Sequence, residues 1–350
     1  MLDHPYKVFF SNMVMQHEIA MKIADLFNQT GLKQISFDGL EGCYSSGYGQ
    51  YGRLLLVKEW FHYLMHTDVI NDPSNPGHFS WHINTRMNWG EPWYGGFRES
   101  QQSYRVKNQA YFQRNLMPLM LGWFNMRDTT SLDDIEWLLA RAAGFHAGFA
   151  LCTSLPVLKK NGASESILAA MNEWETARHT NAFSDEQRKH FEDPTAEFHI
   201  EPVEHKQWKL YPAYVSPTLK HKRSDFSQAQ PTSAKWEFDN PHGTQPLQFV
   251  LKVASANADQ NGFVSNPAFE LDQYHRIAFA VTLKPNQHLV CKKTKQGRIY
   301  DQNWNLLKTV NADSSIPEVT EEKHAVEFNC GFSGDSSLQV LVNFKTMGTL

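Results

Sequence analysis

The sequence predicts an α/β fold followed by an all-β fold: a partial (β/α)8 barrel of the TIM type, then an antiparallel β-sandwich. Ahead of residue 196, five short apolar segments alternate with helical patterns, and such alternation requires a parallel sheet covered by helices. Beyond residue 196, short strand-like segments separated by prolines replace the helices, a pattern typical of an antiparallel sandwich. We therefore expect two domains, residues 1–195 and residues 196–350.

The strand–helix units of the first domain follow one another along the chain. The predicted strands are Val8–Phe10, Lys33–Phe37, His78–Ile83, Met117–Phe124 and Ala147–Cys152. The predicted helices cover about 14–28, 50–65, 100–115, the segment after Ser131, 164–178 and a short segment after Ser184. A closed barrel needs eight such units. Five units leave either an open sheet or, as we prefer, the back part of a barrel whose front is missing.

Local signals fix the ends of several predicted helices. Val14, Ile19, Ile23, Leu26 and Phe27 recur at helical spacing and form the apolar face of the first helix. Gly31 is expected to end that helix, since glycine is favoured just past a helix C-terminus. The segments 131–134 and 184–187 resemble capping boxes, which begin helices.

Short strands with no long helix are predicted in the second domain. Their centres are Phe198–Ile200, Trp208–Leu210, Phe249–Val253, Ile277–Leu283, Ile299–Tyr300, Val326–Phe328 and Leu338–Phe344. The polar stretch 216–235 is expected to be a solvated loop.

Composition excludes several classes of protein. The 33 Lys and Arg against 37 Asp and Glu give a net charge of −4, which argues against a nucleic-acid-binding protein because such a protein needs a basic face. No segment reads as a membrane span, and the N-terminal residues do not read as a signal peptide. The four cysteines share no close spacing, so no metal site is expected. No cofactor motif follows a strand, so no cofactor is expected, and the sequence assigns no oligomeric state.

Two carboxylates follow the second predicted strand and are the first catalytic candidates. Asp38 and Glu41 lie among glycines just past Phe37, and reactive groups of parallel α/β folds lie where strands end. Glycines there allow another molecule to approach the backbone. The alternative is that Asp38 merely caps a turn, because Asp-Gly is an ordinary turn dipeptide.

The segment 82–94 is dense in groups that bind sugars. Aromatic rings stack on the apolar faces of sugar rings, while Asn, Arg and His side chains hydrogen-bond hydroxyls. We therefore expect a glycan-binding surface here, with Glu91 as a third carboxylate. Arg98 and Trp123 continue this pattern of polar and aromatic side chains further along the chain. The predicted substrate-binding residues are His82, Asn84, Arg86, Trp89, Trp93, Tyr94, Arg98 and Trp123.

Hydrolysis of a glycosidic bond requires two carboxyl groups with different roles. One protonates the leaving oxygen, and the other attacks the anomeric carbon or activates water. Asp38 and Glu91 end neighbouring strand–helix units, so they are the predicted pair. Glu41 is the substitute for either, and the expected partner is a polysaccharide or oligosaccharide substrate.

The motifs 36–42, 89–94 and 122–124 together resemble the catalytic region of large bacterial polysaccharide-degrading proteins, which are (β/α)8-barrel glycoside hydrolases with a β-sandwich after the barrel. The likeness covers roughly residues 14–215 and, more loosely, extends to 345; the segment 297–304 resembles hairpins of the appended sandwiches. The resemblance implies that Asp38 and Glu91 are the carboxylates to test. It also implies that full-length relatives are periplasmic or secreted.

Two alternative functions remain open at this point. A polysaccharide lyase would remove a proton α to a uronate carboxylate with a Tyr or His and neutralise that carboxylate with Arg or Asn. The residues available for those roles are Tyr44, Tyr48, His82, Asn84 and Arg86. The other alternative is a non-catalytic glycan-binding protein or an inactive truncated barrel, because an incomplete barrel leaves sheet edges exposed.

Overall fold

The structure is a computed structural model that describes residues 12–37, 49–66, 68–73, 82, 84–85, 96–99, 102–204, 206–223, 233–256, 262–292 and 296–349. Its contacts divide the chain into two compact units. The first unit comprises the described residues of Met1–Asn125 and Gly144–Cys152, and the second comprises those of Met126–Ala143 and Thr153–Leu350.

Helices and short parallel strands alternate up to about residue 191, and strands follow. The helices are α1 (Met13–Thr30), α2 (Gly49–Tyr63), α3 (Gln102–Arg114), α4 (Leu132–Phe145), α5 (Leu155–Lys160), α6 (Ser164–His179) and α7 (Asp185–Phe191). The first strands are β1 (Gln34–Phe37), β2 (Ile70–Pro73), β3 (Met120–Asn125) and β4 (Gly148–Cys152). The later strands are β5 (Glu197–Glu204), β6 (Gln207–Val215), β7 (Leu219–Lys222), β8 (Ser233–Asp239), β9 (Gln245–Pro246), β10 (Gln248–Ala254), β11 (Phe263–Leu271), β12 (His275–Ala278), β13 (Thr282–Leu283), β14 (His288–Cys291), β15 (Gln296–Tyr300), β16 (Leu306–Asn311), β17 (Glu318–Val319), β18 (Lys323–Ser333) and β19 (Gln339–Met347).

Helix α1 of the first unit is capped at both ends. The Asn12 side chain accepts from the N–H groups of Val14 and Met15 at 3.0 and 3.1 Å, which satisfies two of the donors that a helix start leaves free. Gly31 has a φ of 70° and its N–H donates to Phe27 O. The prediction that Gly31 ends this helix is confirmed.

The face that α1 buries coincides only in part with the one that periodicity predicts: Phe27 is buried as expected, and Ile19 and Ile23 pack against the same apolar cluster. Ala20, Ala24 and Phe27 are buried, whereas Val14 and Leu26 are 68% and 51% exposed. The buried alanines lie in the same apolar cluster as residues of α2. Small side chains in a contact allow two helices to pack closely, which accounts for the burial of alanines between α1 and α2.

The predicted partial (β/α)8 barrel, and with it the predicted fold class, is wrong. Within the described ranges the parallel strands form two separate pairs, β1 with β2 and β3 with β4, and no ladder joins one pair to the other. Most strands belong instead to antiparallel sheets. Alternation of strands and helices makes neighbouring strands parallel, but a barrel also requires each pair to hydrogen-bond to the next around a closed ring. Local sequence patterns do not show whether one strand pair hydrogen-bonds to the next.

The partner of β1 is a strand that the sequence analysis did not predict. Strand β2 pairs with β1 in the register Gln34↔Ile70 to Phe37↔Pro73. The expected strand at His78–Ile83 lies almost wholly outside the described residues, and His82 lies in a turn. The strand expected at Val8–Phe10 also lies outside them. Strand β2 reads Ile-Asn-Asp-Pro, which has too few apolar residues to show strand periodicity.

Two antiparallel sheets dominate the second unit. In the part of the chain that the structure describes, one sheet has eight strands in the order β16-β15-β14-β10-β19-β6-β5, with β7 also paired to β19. The other has five, in the order β12-β11-β18-β8, with β13 also paired to β11. Strands β9 and β17 form a separate pair.

The two large sheets of the second unit share one apolar core. Phe249 of the eight-stranded sheet and Phe269 of the five-stranded sheet have ring centroids 4.4 Å apart. Phe238 and Phe344, again one from each sheet, stack at the same distance. Residues of the inner faces alternate with outward-facing ones along each strand, so Gln248 and Val250, the neighbours of Phe249, lie on the face of β10 that points away from this core.

A second group of aromatic side chains joins α6 and α7 to β5. Trp174 contacts Phe191 edge-to-face at 5.6 Å, and Phe191 contacts Phe198 at 4.7 Å. The Ser184 hydroxyl accepts from Gln187 N at the start of α7 while the Gln187 side chain accepts from Ser184 N, so the predicted capping box is confirmed.

Among the described helices, none combines the length and the apolar character that crossing a membrane requires.

Candidate functional site

The candidate site lies at the carboxyl ends of the parallel strands in the first unit. Strands β1 and β2 run parallel and end together at Phe37 and Pro73. Asp38 is the next residue of the chain after β1. Residues that follow parallel strands meet at one edge of the sheet, which is where ligands bind in α/β proteins.

The segment 84–85 is fixed to strand β2 by hydrogen bonds around Thr85. The Thr85 hydroxyl accepts from Asn71 N at 2.8 Å and donates to Asn71 O at 3.1 Å, and Thr85 N donates to the same carbonyl at 3.0 Å. Asn84, one of the predicted substrate-binding residues, is 8% exposed. Asn84, the chain neighbour of Thr85, is therefore held beside strand β2.

Strand β2 also contributes a carboxylate that sequence reasoning missed. Asp72 is 6% exposed and lies opposite Ser36 in the register of the two strands. A buried carboxylate near the end of a parallel strand is a candidate functional group, because burial of a charge is costly and such groups occur preferentially at active sites. The available signal was Asn71-Asp72-Pro73 directly after Val69 and Ile70, the same succession of apolar and acidic residues that singled out Asp38.

A buried arginine lies beside strand β3. The Arg105 guanidinium of α3 donates to Trp123 O and lies 3.8 Å from the centroid of the Phe124 ring. The Phe97 ring contacts the same Phe124 ring at 5.3 Å. The segment that carries Arg98 therefore lies against the strand that carries Trp123, so the structure brings these two predicted residues into one neighbourhood.

The surroundings of Arg105 change its electrostatics and those of Cys152. Burial lowers the pKa of Arg105 to about 10, although the nearby Cys152 opposes the change; the guanidinium therefore stays charged at neutral pH. Burial raises the pKa of the Cys152 thiol, and Arg105 opposes that change in turn. Gln109 connects α3 to β3 because its amide donates to Arg105 O at 2.9 Å and to Met120 O at 2.8 Å. The result is a buried cation fixed between α3 and β3.

The predicted site residues fall into two groups in the structure. His82 is exposed in a turn, Asn84 is buried, and Arg98 and Trp123 are half-buried. The other predicted residues lie outside the described residues: the carboxylates Asp38, Glu41 and Glu91, and the binding residues Arg86, Trp89, Trp93 and Tyr94, together with Tyr44 and Tyr48 of the lyase alternative.

Within the described ranges, no three His, Cys, Asp or Glu side chains come together in a way that would hold a metal ion. No protein-family model matches the chain, and no curated protein matches it.

Proposed function

We propose that this chain acts on a glycan and cleaves a glycosidic bond with Asp38 and Glu91 as the two carboxyl groups. The observation that carries the proposal is the parallel pairing of β1 with β2. The two strands end side by side, β1 immediately before Asp38 and β2 at Pro73. Glycosidases need one carboxyl group as acid and a second as nucleophile or base. Glu41 is the replacement for either of the two.

Further support comes from buried polar groups beside the parallel strands of the first unit. Asn84 and Asp72 are buried beside β2, and Arg105 is buried beside Trp123 on β3. The tryptophans and tyrosine of 89–94 would add stacking surfaces.

The proposal is tested with Asp38→Asn and Glu91→Gln, assayed by the release of reducing ends from a panel of polysaccharides. Each variant should lose about 10²–10⁴-fold in rate, the usual contribution of general acid–base catalysis. Matched controls are Asp68→Asn and Glu18→Gln, because both side chains are exposed in the same unit. These controls should keep full activity.

Two outcomes would contradict this function. Full turnover by both Asp38→Asn and Glu91→Gln would remove the carboxyl pair from the mechanism. Products that absorb in the ultraviolet would show that the bond is broken by elimination, which forms a double bond, and the chain would then be a polysaccharide lyase.

A further inference from the structure

Positive charge is concentrated on one part of the eight-stranded sheet. The neighbouring strands β7, β19, β10, β14, β15 and β16 contain no Asp or Glu. They carry six Lys and Arg residues: Lys220, Lys222, Lys252, Arg298, Lys308 and Lys345. The five-stranded sheet differs, because its strands also carry carboxylates: Glu237, Asp239, Glu270 and Glu327. In a chain whose net charge is −4, this segregation gives one surface a local charge opposite to that of the whole protein.

Three of these cations lie on the face of the sheet that points away from the core. Side chains alternate between the two faces of a strand, and a chain neighbour of each of the three is buried: His221, Leu251 and Ile299. Lys220 and Arg298 are exposed, and Lys252 is half-buried. We call the surface that carries Lys220, Lys252 and Arg298 the basic face.

The cations of the basic face are separated from one another by one strand each. Lys220 on β7 and Lys252 on β10 lie opposite Leu341 of β19, one on each side. Strand β14 in turn lies between Lys252 on β10 and Arg298 on β15. Because neighbouring strands lie ~4.8 Å apart, successive cations are separated by roughly 10 Å.

The residues between these cations carry no charge at neutral pH. Leu341 separates Lys220 from Lys252. His288 follows Lys252 on the next strand, and its ring stacks on Trp304 with centroids 4.6 Å apart. Burial and the charge of Lys252 lower the pKa of His288 to about 4, so this ring is neutral. A ligand that crosses the strands therefore meets a positive charge only on every second strand.

The three cations are available to an anion from outside the chain. Among the described residues, Lys220, Lys252 and Arg298 have no ion-pair or hydrogen-bond partner. Asp133 of α4 approaches the same sheet, but it accepts from Lys345 Nζ at 2.9 Å. The basic face therefore complements a negatively charged ligand.

We propose that the basic face binds a linear acidic polysaccharide whose carboxylates are separated by neutral sugar units. Successive carboxylates of such a chain would pair with Lys220, Lys252 and Arg298. A nucleic-acid strand carries one phosphate about every 3.4 Å, which is much closer than the spacing of these cations, so the spacing favours the polysaccharide. The inference rests on the proposed function in taking a glycan as the ligand, and it makes that glycan acidic.

Fluorescence anisotropy with labelled oligosaccharides and the full chain tests the proposal. The probes are hyaluronan oligosaccharides, in which a uronate alternates with a neutral sugar, and the same oligosaccharides with methyl-esterified carboxylates. We expect saturable binding of the acidic form, weaker at high NaCl because salt screens exposed charges, and no binding of the ester. The combined variant Lys220→Gln, Lys252→Gln and Arg298→Gln should bind about tenfold more weakly or worse.

A matched control removes the same amount of charge elsewhere. Lys189→Gln, Lys235→Gln and Lys323→Gln together alter exposed lysines outside the basic face. This control should bind the acidic oligosaccharides like the unmodified protein. Thermal unfolding followed by circular dichroism should show the same Tm for both combined variants.

Binding and hydrolysis are measured separately, so that failure of the proposed function and failure of this inference can be told apart. Asp38→Asn combined with Glu91→Gln should lose hydrolysis and keep binding. The inference is overturned if the acidic oligosaccharides do not bind, if the ester binds equally well, or if the variant of the basic face binds like the unmodified protein. Tighter binding of single-stranded DNA or of phosphatidylglycerol vesicles would also overturn it, because the ligand would then be a nucleic acid or a membrane.

Discussion

His199 Nδ1 donates to Glu136 Oε2 over 2.8 Å, and this bond joins strand β5 to helix α4. The Glu136 carboxylate, 2% exposed, also accepts from Trp174 Nε1 at 3.2 Å and from Ile200 N at 3.3 Å. A buried carboxylate is tolerated when several donors satisfy it. Glu136 is therefore the point where α4, α6 and β5 are held together.

The His199–Glu136 pair predicts a stability that falls at alkaline pH. Burial opposes protonation of His199, but the hydrogen bond and the charge of Glu136 outweigh it, so the pKa of His199 is raised. A raised pKa in the folded state means that the contribution is complete below the unfolded value of about 6.5 and disappears as pH rises through the folded value. The loss of Tm caused by His199→Gln should therefore shrink as pH rises above about 6.5.

The control for this pH series is His179→Gln, because His179 is exposed near the end of α6. Its Tm should stay close to that of the unmodified protein at each pH. A difference between His199→Gln and the unmodified protein that grows as pH rises would contradict the assigned direction.

His288 predicts the opposite behaviour at acidic pH. Burial and the charge of Lys252 lower the pKa of His288 to about 4, so the folded protein keeps this ring neutral while the unfolded chain binds a proton near pH 6.5. Its contribution is present above about pH 6.5 and is lost as pH falls towards 4. His288→Phe keeps a ring to stack on Trp304 and should shift the acid unfolding midpoint to lower pH, as followed by circular dichroism.

The exposed His275 supplies the comparison for this acid series. His275→Gln should leave the acid midpoint unchanged. If His288→Phe unfolds at the same pH as the unmodified protein, His288 does not account for the acid sensitivity.

Gly162 allows a close approach that any side chain would block. A Cβ at this position would lie 2.5 Å from Trp304 O and 2.8 Å from Asn305 Cα. These are backbone atoms and cannot rotate away, so Gly162→Ala should destabilise the protein by about 1–3 kcal/mol, the usual cost of overpacking. Urea unfolding measures this change.

Gly243→Ala is the matched control for Gly162→Ala, because a Cβ at Gly243 would meet nothing within 4 Å. Its free energy of unfolding should stay within about 0.5 kcal/mol of that of the unmodified protein. Equal stability of the two variants would show that the close contact at Gly162 is not needed.

Replacement of Arg105 by lysine should destabilise the protein. Its guanidinium both donates to Trp123 O and stacks on Phe124, and an ammonium group lacks the planar shape that stacking needs. Arg105→Lys should lower the free energy of unfolding by about 1–3 kcal/mol. The control is Arg114→Lys at the exposed end of α3, which should be neutral in the same urea titration.

The ends of helices were predictable from the sequence. The capping residues at Gly31, Ser131 and Ser184 act as expected: Asp134 N donates to the Ser131 hydroxyl at 3.2 Å, and Gln187 N donates to the Ser184 hydroxyl at 3.1 Å. A cap involves groups three or four residues apart. Its chemistry is therefore complete within a few letters of sequence.

Strand pairing was less predictable. Strand β2 was not predictable from its own residues, because Asn71, Asp72 and Pro73 are uncommon in strands and its partner, β1, holds it by backbone hydrogen bonds. Asp72 was therefore not among the predicted site residues. Propensity is weak evidence for a strand where a neighbouring strand decides the conformation.

The sequence by itself determined the local features of this protein: its helix caps, the position of Asp38 after an apolar strand, and the change from helices to strands near residue 196. Only the tertiary structure decided which parallel strands pair, and it joined Glu136 to His199 and Asp133 to Lys345 across 63 and 212 residues. The physical reason is range: a cap is satisfied by its own neighbours in the chain, whereas ladders and buried ion pairs form between segments that meet only when the chain has folded.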